Sequence, residues 1–187
     1  MRKYQITECC LRFIRDHVKE GDICIDATAG NGNDTLVLCQ LVGDSGKVYA
    51  FDIQEQAIAN TKRRLEENGV ANRAEVLLES HTNMSNYAEA DSVSCITFNF
   101  GYLPGGDHNL ATRKESSIEA IHAGLRLLKK GGMMSLCIYS GGDSGFEERD
   151  AILEELKTLD GKKYLVILSQ YYNRPNNPPI PAMIIKM

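Results

Sequence analysis

Short apolar runs alternate with amphipathic stretches along most of this chain, until two apolar runs follow each other with no helix between them. Strands are expected at 23–25, 47–51, 75–78, 93–98 and 133–139. Helices are expected at 7–20, 35–41, 54–68, 112–130 and 146–159. The first carries Leu11, Ile14 and Val18 at helical spacing, and Gly131-Gly132 read as the stop of the fourth. Such alternation builds a parallel sheet with helices on both faces, because each parallel step needs a crossover. The final runs, "KYLVILSQYY" and "AMIIKM", are joined only by "NRPNNPPIP" and should therefore pair antiparallel. With 187 residues the chain is long enough to bury a core, and one domain over 1–187 is expected.

The segment "IDATAGNGNDTL", 25–36, joins the first strand to the next helix. A doubly wound sheet opens its ligand crevice at such a place. Gly30 and Gly32 permit backbone angles and close approaches that a β-carbon forbids. Asp26 ends the strand, and Asn31 and Asn33 add side-chain donors and acceptors. A phosphate loop would need a lysine after its last glycine, and none follows. A nicotinamide site would prefer a third small residue where Thr35 stands. The pattern D-x-T-x-G-x-G resembles motif I of S-adenosylmethionine enzymes, with Thr28 in place of the first glycine.

On the second strand Asp52 follows Gly32 by twenty residues, where a carboxylate can accept both hydroxyls of a ribose. Ile53 would lie against an adenine ring and Gln54 would reach a ribose or adenine edge. Ser80 and His81 end the third strand at the adenine-edge position, His81 equally readable as a capping or exposed histidine. Five βα units closed by a β-hairpin resemble the class I methyltransferase (Rossmann-like) fold. That resemblance implies a seven-stranded, mostly parallel sheet with helices on both faces and its last strand inserted antiparallel between neighbours.

The fourth strand runs into "FNFGYLPGGDH". Asn99 is expected to leave the sheet there, with Tyr102 three residues on. N-F-G-Y is similar to the [DN]-P-P-Y motif of amino-group methyltransferases, Phe100-Gly101 standing for Pro-Pro. In those enzymes the Asn oxygen and a backbone carbonyl aim the substrate nitrogen while the aromatic stacks on the base. Together, "DATAGNGNDT", "SHTNM", "NFGYLPGGDH" and "NRPNNPPIP" resemble the MnmM/YtqB-type bacterial family of tRNA 5-aminomethyl-(2-thio)uridine methyltransferases, formerly described as rRNA methylases. The resemblance implies S-adenosylmethionine as cofactor and the tRNA anticodon loop as substrate. An alkylamine must lose a proton before attack, and Asp107 and His108 are the local acceptors. Displacement on an activated methyl requires no metal.

The net charge of −4 argues against a generally basic coat, though a local patch can serve RNA. Arg2, Lys3, Arg12, Arg15, Arg113 and Lys114 are candidates for one. No apolar run reaches the ~18 residues of a membrane span, and the N-terminus lacks a signal peptide's apolar core, so a cytoplasmic protein is expected. The six cysteines include no C-x-x-C pair and read as reduced, buried hydrophobes. Two roles are open for the 173–179 loop: a pocket wall or a homodimer contact. Two rival functions are an rRNA or small-molecule amine methyltransferase and a noncatalytic RNA- or cofactor-binding module.

Overall fold

A computed structural model of the chain describes residues 5–100, 113–140 and 145–187. In chain order these form α1 (Ile6–His17), β1 (Ile23–Asp26), α2 (Asn33–Val42), β2 (Lys47–Asp52), α3 (Glu55–Glu67), β3 (Ala74–Leu78) and β4 (Val93–Phe100). Then follow α4 (Lys114–Leu127), β5 (Leu128–Ile138), α5 (Gly145–Thr158), β6 (Tyr164–Leu168) and β7 (Ile180–Lys186). Short 3-10 segments flank β3 at Ala71–Arg73 and His81–Asn86.

The strands form one seven-stranded sheet in the order β3-β2-β1-β4-β5-β7-β6. The first five are parallel, and β7 lies antiparallel between β5 and β6. This is the class I methyltransferase arrangement. The chain order reverses direction across the sheet at the β1/β4 pair, and a crevice opens beyond the carboxyl ends of those strands.

Period-2 alternation divides the apolar side chains between two faces. Cys24, Cys95, Met133 and Met183 pack with Ile14 of α1, Leu38 of α2 and Leu65 of α3. Their neighbours Ile25, Ile96, Met134 and Ile184 pack with Ile121 of α4 and Ile152 of α5. Both faces are thus covered, which is why the central strands read as nearly continuous apolar runs.

The first helix ends at His17 and not at 20, since Val18 is already extended, and three other differences from expectation bear on the sheet. The fourth helix ends at Leu127 and not at 130, because Leu128 turns extended and pairs with Val93. Gly131 and Gly132 therefore serve a strand irregularity, not a helix stop. Gly131 has φ +76°, and a β-carbon on Gly132 would meet the carbonyl oxygens of Lys129 and Val93 at 2.8 and 2.9 Å. The register shift in β4 falls at this point, between Val93 and Cys95. Asn99 does not leave the sheet: it pairs with Cys137 within β4. Finally, β7 begins at Ile180 and includes Pro181, whose carbonyl accepts the Ser169 N–H at 2.9 Å. A proline lacks a ladder donor, and the start of a strand tolerates that loss.

Candidate active site

The glycine turn passes over the carboxyl ends of β1, β2 and β4 and is bonded to each. Ala27 N–H donates to Thr97 O at 2.9 Å and Ala29 N–H to Phe51 O at 2.8 Å. Gly30 and Gly32 have φ +55° and +73°, a region where a side chain costs about 1–2 kcal/mol. Gly32 also lies against α3, where a β-carbon would stand 2.9 Å from Thr61 Cα. Both glycines are therefore required by the turn itself.

Asp52 fastens this turn to β2. Its Oδ2 accepts the Gly30 N–H and its Oδ1 the Gln54 N–H, each at 2.9 Å. Two backbone donors fix the carboxylate plane and leave each oxygen a further lone pair. Gln54 precedes the first turn of α3, and Ile53 beside it is 53% exposed although apolar. Asn31 is used differently: its side-chain oxygen accepts from Asn60 Nδ2 at 2.9 Å and its carbonyl from Arg64 Nε at 2.6 Å. Asn33 is exposed at the start of α2. Ser80 caps the 3-10 segment, accepting the Thr82 N–H at 3.3 Å.

Two acids flank the turn. Asp26 is fully buried, accepting Thr35 Oγ1–H at 2.6 Å and the Thr28 N–H at 3.2 Å. Burial first, then the nearby negative charge of Asp34, pushes its carboxyl well above the usual carboxylate range. Asp34, in the first turn of α2, is also raised by burial and held back by an N–H from Asn99. Among the described residues neither acid pairs with a lysine or arginine. Such a pair favours a cation beside it.

Asn99 joins this network from β4. Its backbone N–H donates to Thr28 Oγ1 at 2.7 Å, and its side-chain Nδ2 donates to Asp34 Oδ2 at 2.8 Å. In the sequence Thr28 reads as a cofactor-binding member of the glycine motif, with no sign of its bond to Asn99, and Asp34 looks like an ordinary acid in a first helical turn. The available signal was the pair of acids bracketing the glycines.

His81 closes the β1 side. Its Nδ1 lies 3.1 Å from Ala27 O, so Nδ1 carries the proton, and the ring meets Phe98 edge-on with centroids 5.8 Å apart. Burial lowers its pKa and keeps the ring neutral. Its Nε2 is buried without a partner among the described residues. An orphaned buried acceptor costs about 1–3 kcal/mol unless a donor arrives.

The site thus gathers Asp26, Thr28, Gly30, Gly32, Asp52, Gln54, His81 and Asn99. Tyr102, Asp107 and His108 lie outside the described residues, as do Arg2 and Lys3. On the far side Ser140 Oγ, just past β5, donates to Asn177 O at 3.1 Å, which brings the 173–179 loop to the end of the sheet that carries the site.

The family model described as "Putative rRNA methylase" matches residues 48–185, a span that begins after the glycine turn. A chloroplastic tRNA (mnm5s2U34)-methyltransferase of Arabidopsis thaliana is 34% identical over 89% of this chain. The chain spans 64% of that relative's length. A crystal structure of a "putative rRNA-methylase" from Clostridium thermocellum is 43% identical, covers 98% of both chains and superposes with a TM-score of 0.95. A "putative methyltransferase" from Streptococcus mutans, in complex with SAH, is 35% identical over 97% of both chains with a TM-score of 0.88.

Proposed function

The chain belongs to the rRNA_methylase family, and on that premise we propose that it is an S-adenosylmethionine-dependent RNA N-methyltransferase. Its proposed target is the amine of 5-aminomethyl-(2-thio)uridine at the tRNA wobble position. One observation carries the reading: Asn99, at the carboxyl end of β4, is bonded through backbone and side chain to the acid-flanked glycine turn. A module that only bound RNA or cofactor would not need a strand-end amide there. The Arabidopsis relative supports the tRNA substrate, and the Streptococcus structure with SAH supports the cofactor.

The residues present fit S-adenosylmethionine better than a dinucleotide. Buried Asp26 and half-buried Asp34, without a lysine or arginine partner among the described residues, would repel a pyrophosphate and favour a sulfonium and an ammonium. Asp52 has lone pairs left for the ribose hydroxyls. The orphaned His81 Nε2 would accept from the exocyclic amine of adenine, and exposed Ile53 would cover its ring. Bound there, S-adenosylmethionine supplies a methyl group already activated on sulfur. The chain's own task is positioning and exclusion of water. Asn99 would hold the amine's lone pair in line, and Tyr102 would stack on the splayed base. Because the amine has a pKa near ~10, Asp107 or His108 would take its proton before attack. We infer a cytosolic enzyme, a reading that a tRNA substrate and free thiols support. The 173–179 loop, tied to Ser140, is assigned to the pocket wall in preference to a homodimer contact.

Calorimetry tests the cofactor. S-adenosylmethionine should bind and NAD should not. Asp52→Ala should weaken binding by about 1.5–3 kcal/mol, roughly 10–150-fold, because charge-assisted hydrogen bonds to the ribose are lost. Tight NAD binding with no heat from S-adenosylmethionine would contradict the reading.

The cysteines should be dispensable for the chemistry. Enzymes that methylate a pyrimidine carbon can attack the ring first with a thiolate, but here burial raises the Cys24, Cys39 and Cys95 thiols, Cys39 to about 12. Cys137, opposite Asn99 on β5, is instead lowered by a hydrogen bond from Cys10. It is the thiol to test. Cys137→Ala should keep the transfer rate within about threefold, since an amine target needs no covalent intermediate. A trapped RNA–cysteine adduct would overturn the nitrogen target.

A further inference from the structure

We propose that Asp34 is a positioning residue that fixes the orientation of the Asn99 amide, so that its oxygen and not its NH2 meets the substrate amine. The inference rests on the reading of Asn99 given above and deepens it.

The two ends of an asparagine amide have nearly the same shape and opposite chemistry: the oxygen accepts and the NH2 donates. A half-turn about the last side-chain bond exchanges them. Only one orientation offers an acceptor to a substrate N–H, so an unrestrained amide would spend part of its time aimed wrongly. Asp34 removes the choice. Its Oδ2 takes the Asn99 Nδ2–H at 2.8 Å, and the reverse orientation would set two acceptor oxygens face to face. Among the described residues none donates to Asn99 Oδ1, the atom proposed to meet the substrate amine.

The source of the restraint is equally specific. Thr28 and Asp34 lie on either side of the two glycines, and together they hold the backbone N–H and the side chain of Asn99. One turn thus shapes the cofactor crevice and orients the group that aims the acceptor. A favourable interaction with the α2 dipole would explain an acid at position 34. It would not explain a half-buried carboxylate close enough to buried Asp26 to raise that acid's pKa. An exposed acid would serve the dipole as well.

The test exchanges the partners. Asp34→Asn keeps the shape but lets the new amide pair with either end of Asn99. At saturating S-adenosylmethionine, its single-turnover rate on aminomethyl-uridine tRNA should fall about 10–100-fold, a loss that saturation keeps separate from any weakening of cofactor binding. Asn99→Asp alone should also be slow, because two carboxylates then oppose each other. Combining both substitutions lets the new NH2 at 34 donate to one oxygen of the new carboxylate at 99, and the other oxygen accepts from the amine. The double variant should recover at least about tenfold of the rate lost by Asp34→Asn. A role in folding alone would give additive losses, which melting transitions of all four proteins would show. Wild-type rates in Asp34→Asn, or a double variant no faster than the Asp34→Asn single variant, would overturn the proposal. Should Asp34→Asn fail to fold, the double variant is compared with Asn99→Asp, and absence of recovery overturns it equally. A wild-type protein inactive on the aminomethyl substrate would overturn the underlying function as well, and is seen before any variant is made.

Discussion

Asn99→Ala should lower the single-turnover rate of methyl transfer on the order of 10²-fold and leave cofactor binding nearly unchanged. The side chain is at the β4 end of the crevice and touches Asp34, not Asp52 or His81, which are assigned to the ribose and adenine. Its removal therefore spares the contacts to the ribose and the adenine. What is lost is the acceptor that sets the direction of the amine's lone pair, a contact whose value lies in the transition state. The backbone N–H of residue 99 keeps its bond to Thr28 Oγ1, so the strand end should hold its course. A rate loss matched by an equal loss of cofactor affinity would assign Asn99 to binding. An unchanged rate would reduce it to a strand residue.

Gly32→Val should be the most damaging single change in the crevice, destabilising the fold by about 2–5 kcal/mol. The left-handed φ of +73° is costly for any residue with a β-carbon, and a β-branched one fits it worst. The added β-carbon would also stand 2.9 Å from Thr61 Cα, a backbone atom of α3 that cannot rotate away. For a chain of this length the melting temperature should drop roughly 4–20 °C. Thermal melts with and without S-adenosylmethionine separate the two consequences. The account expects a lower apo transition and little or no rise on adding cofactor, because the turn that binds it is displaced. A variant that melts like wild type would contradict the geometry of the turn.

Much of this was legible in the residues because it follows from periodicity and from glycine. Strands buried on both faces leave apolar runs, crossovers leave helical spacing, and the absence of a crossover after β6 implies that β7 pairs with it antiparallel; its insertion beside β5 rests on the resemblance to the methyltransferase fold. The turn announced itself through Gly30 and Gly32, and Asp52 through its distance from them. What escaped was local and three-dimensional. Apolar periodicity cannot tell the end of α4 from the start of β5, since "LRLLKKGG" suits either until Leu128 finds Val93. Asn99 reads as a loop residue beside Gly101, yet its pairing with Cys137 keeps it in the sheet. Asp34 was hidden for another reason. A carboxylate in a first helical turn is common, and only the contact with a strand 65 residues away gives it a task.

The most direct test is methyl transfer by the wild-type protein to one tRNA prepared in two forms, with and without an aminomethyl group on its wobble uridine. The product nucleosides are then identified by mass. The account predicts one methyl group on the exocyclic amine of the modified tRNA and none on the unmodified form. Methylation of the unmodified tRNA, or of a ring carbon in either form, would contradict it.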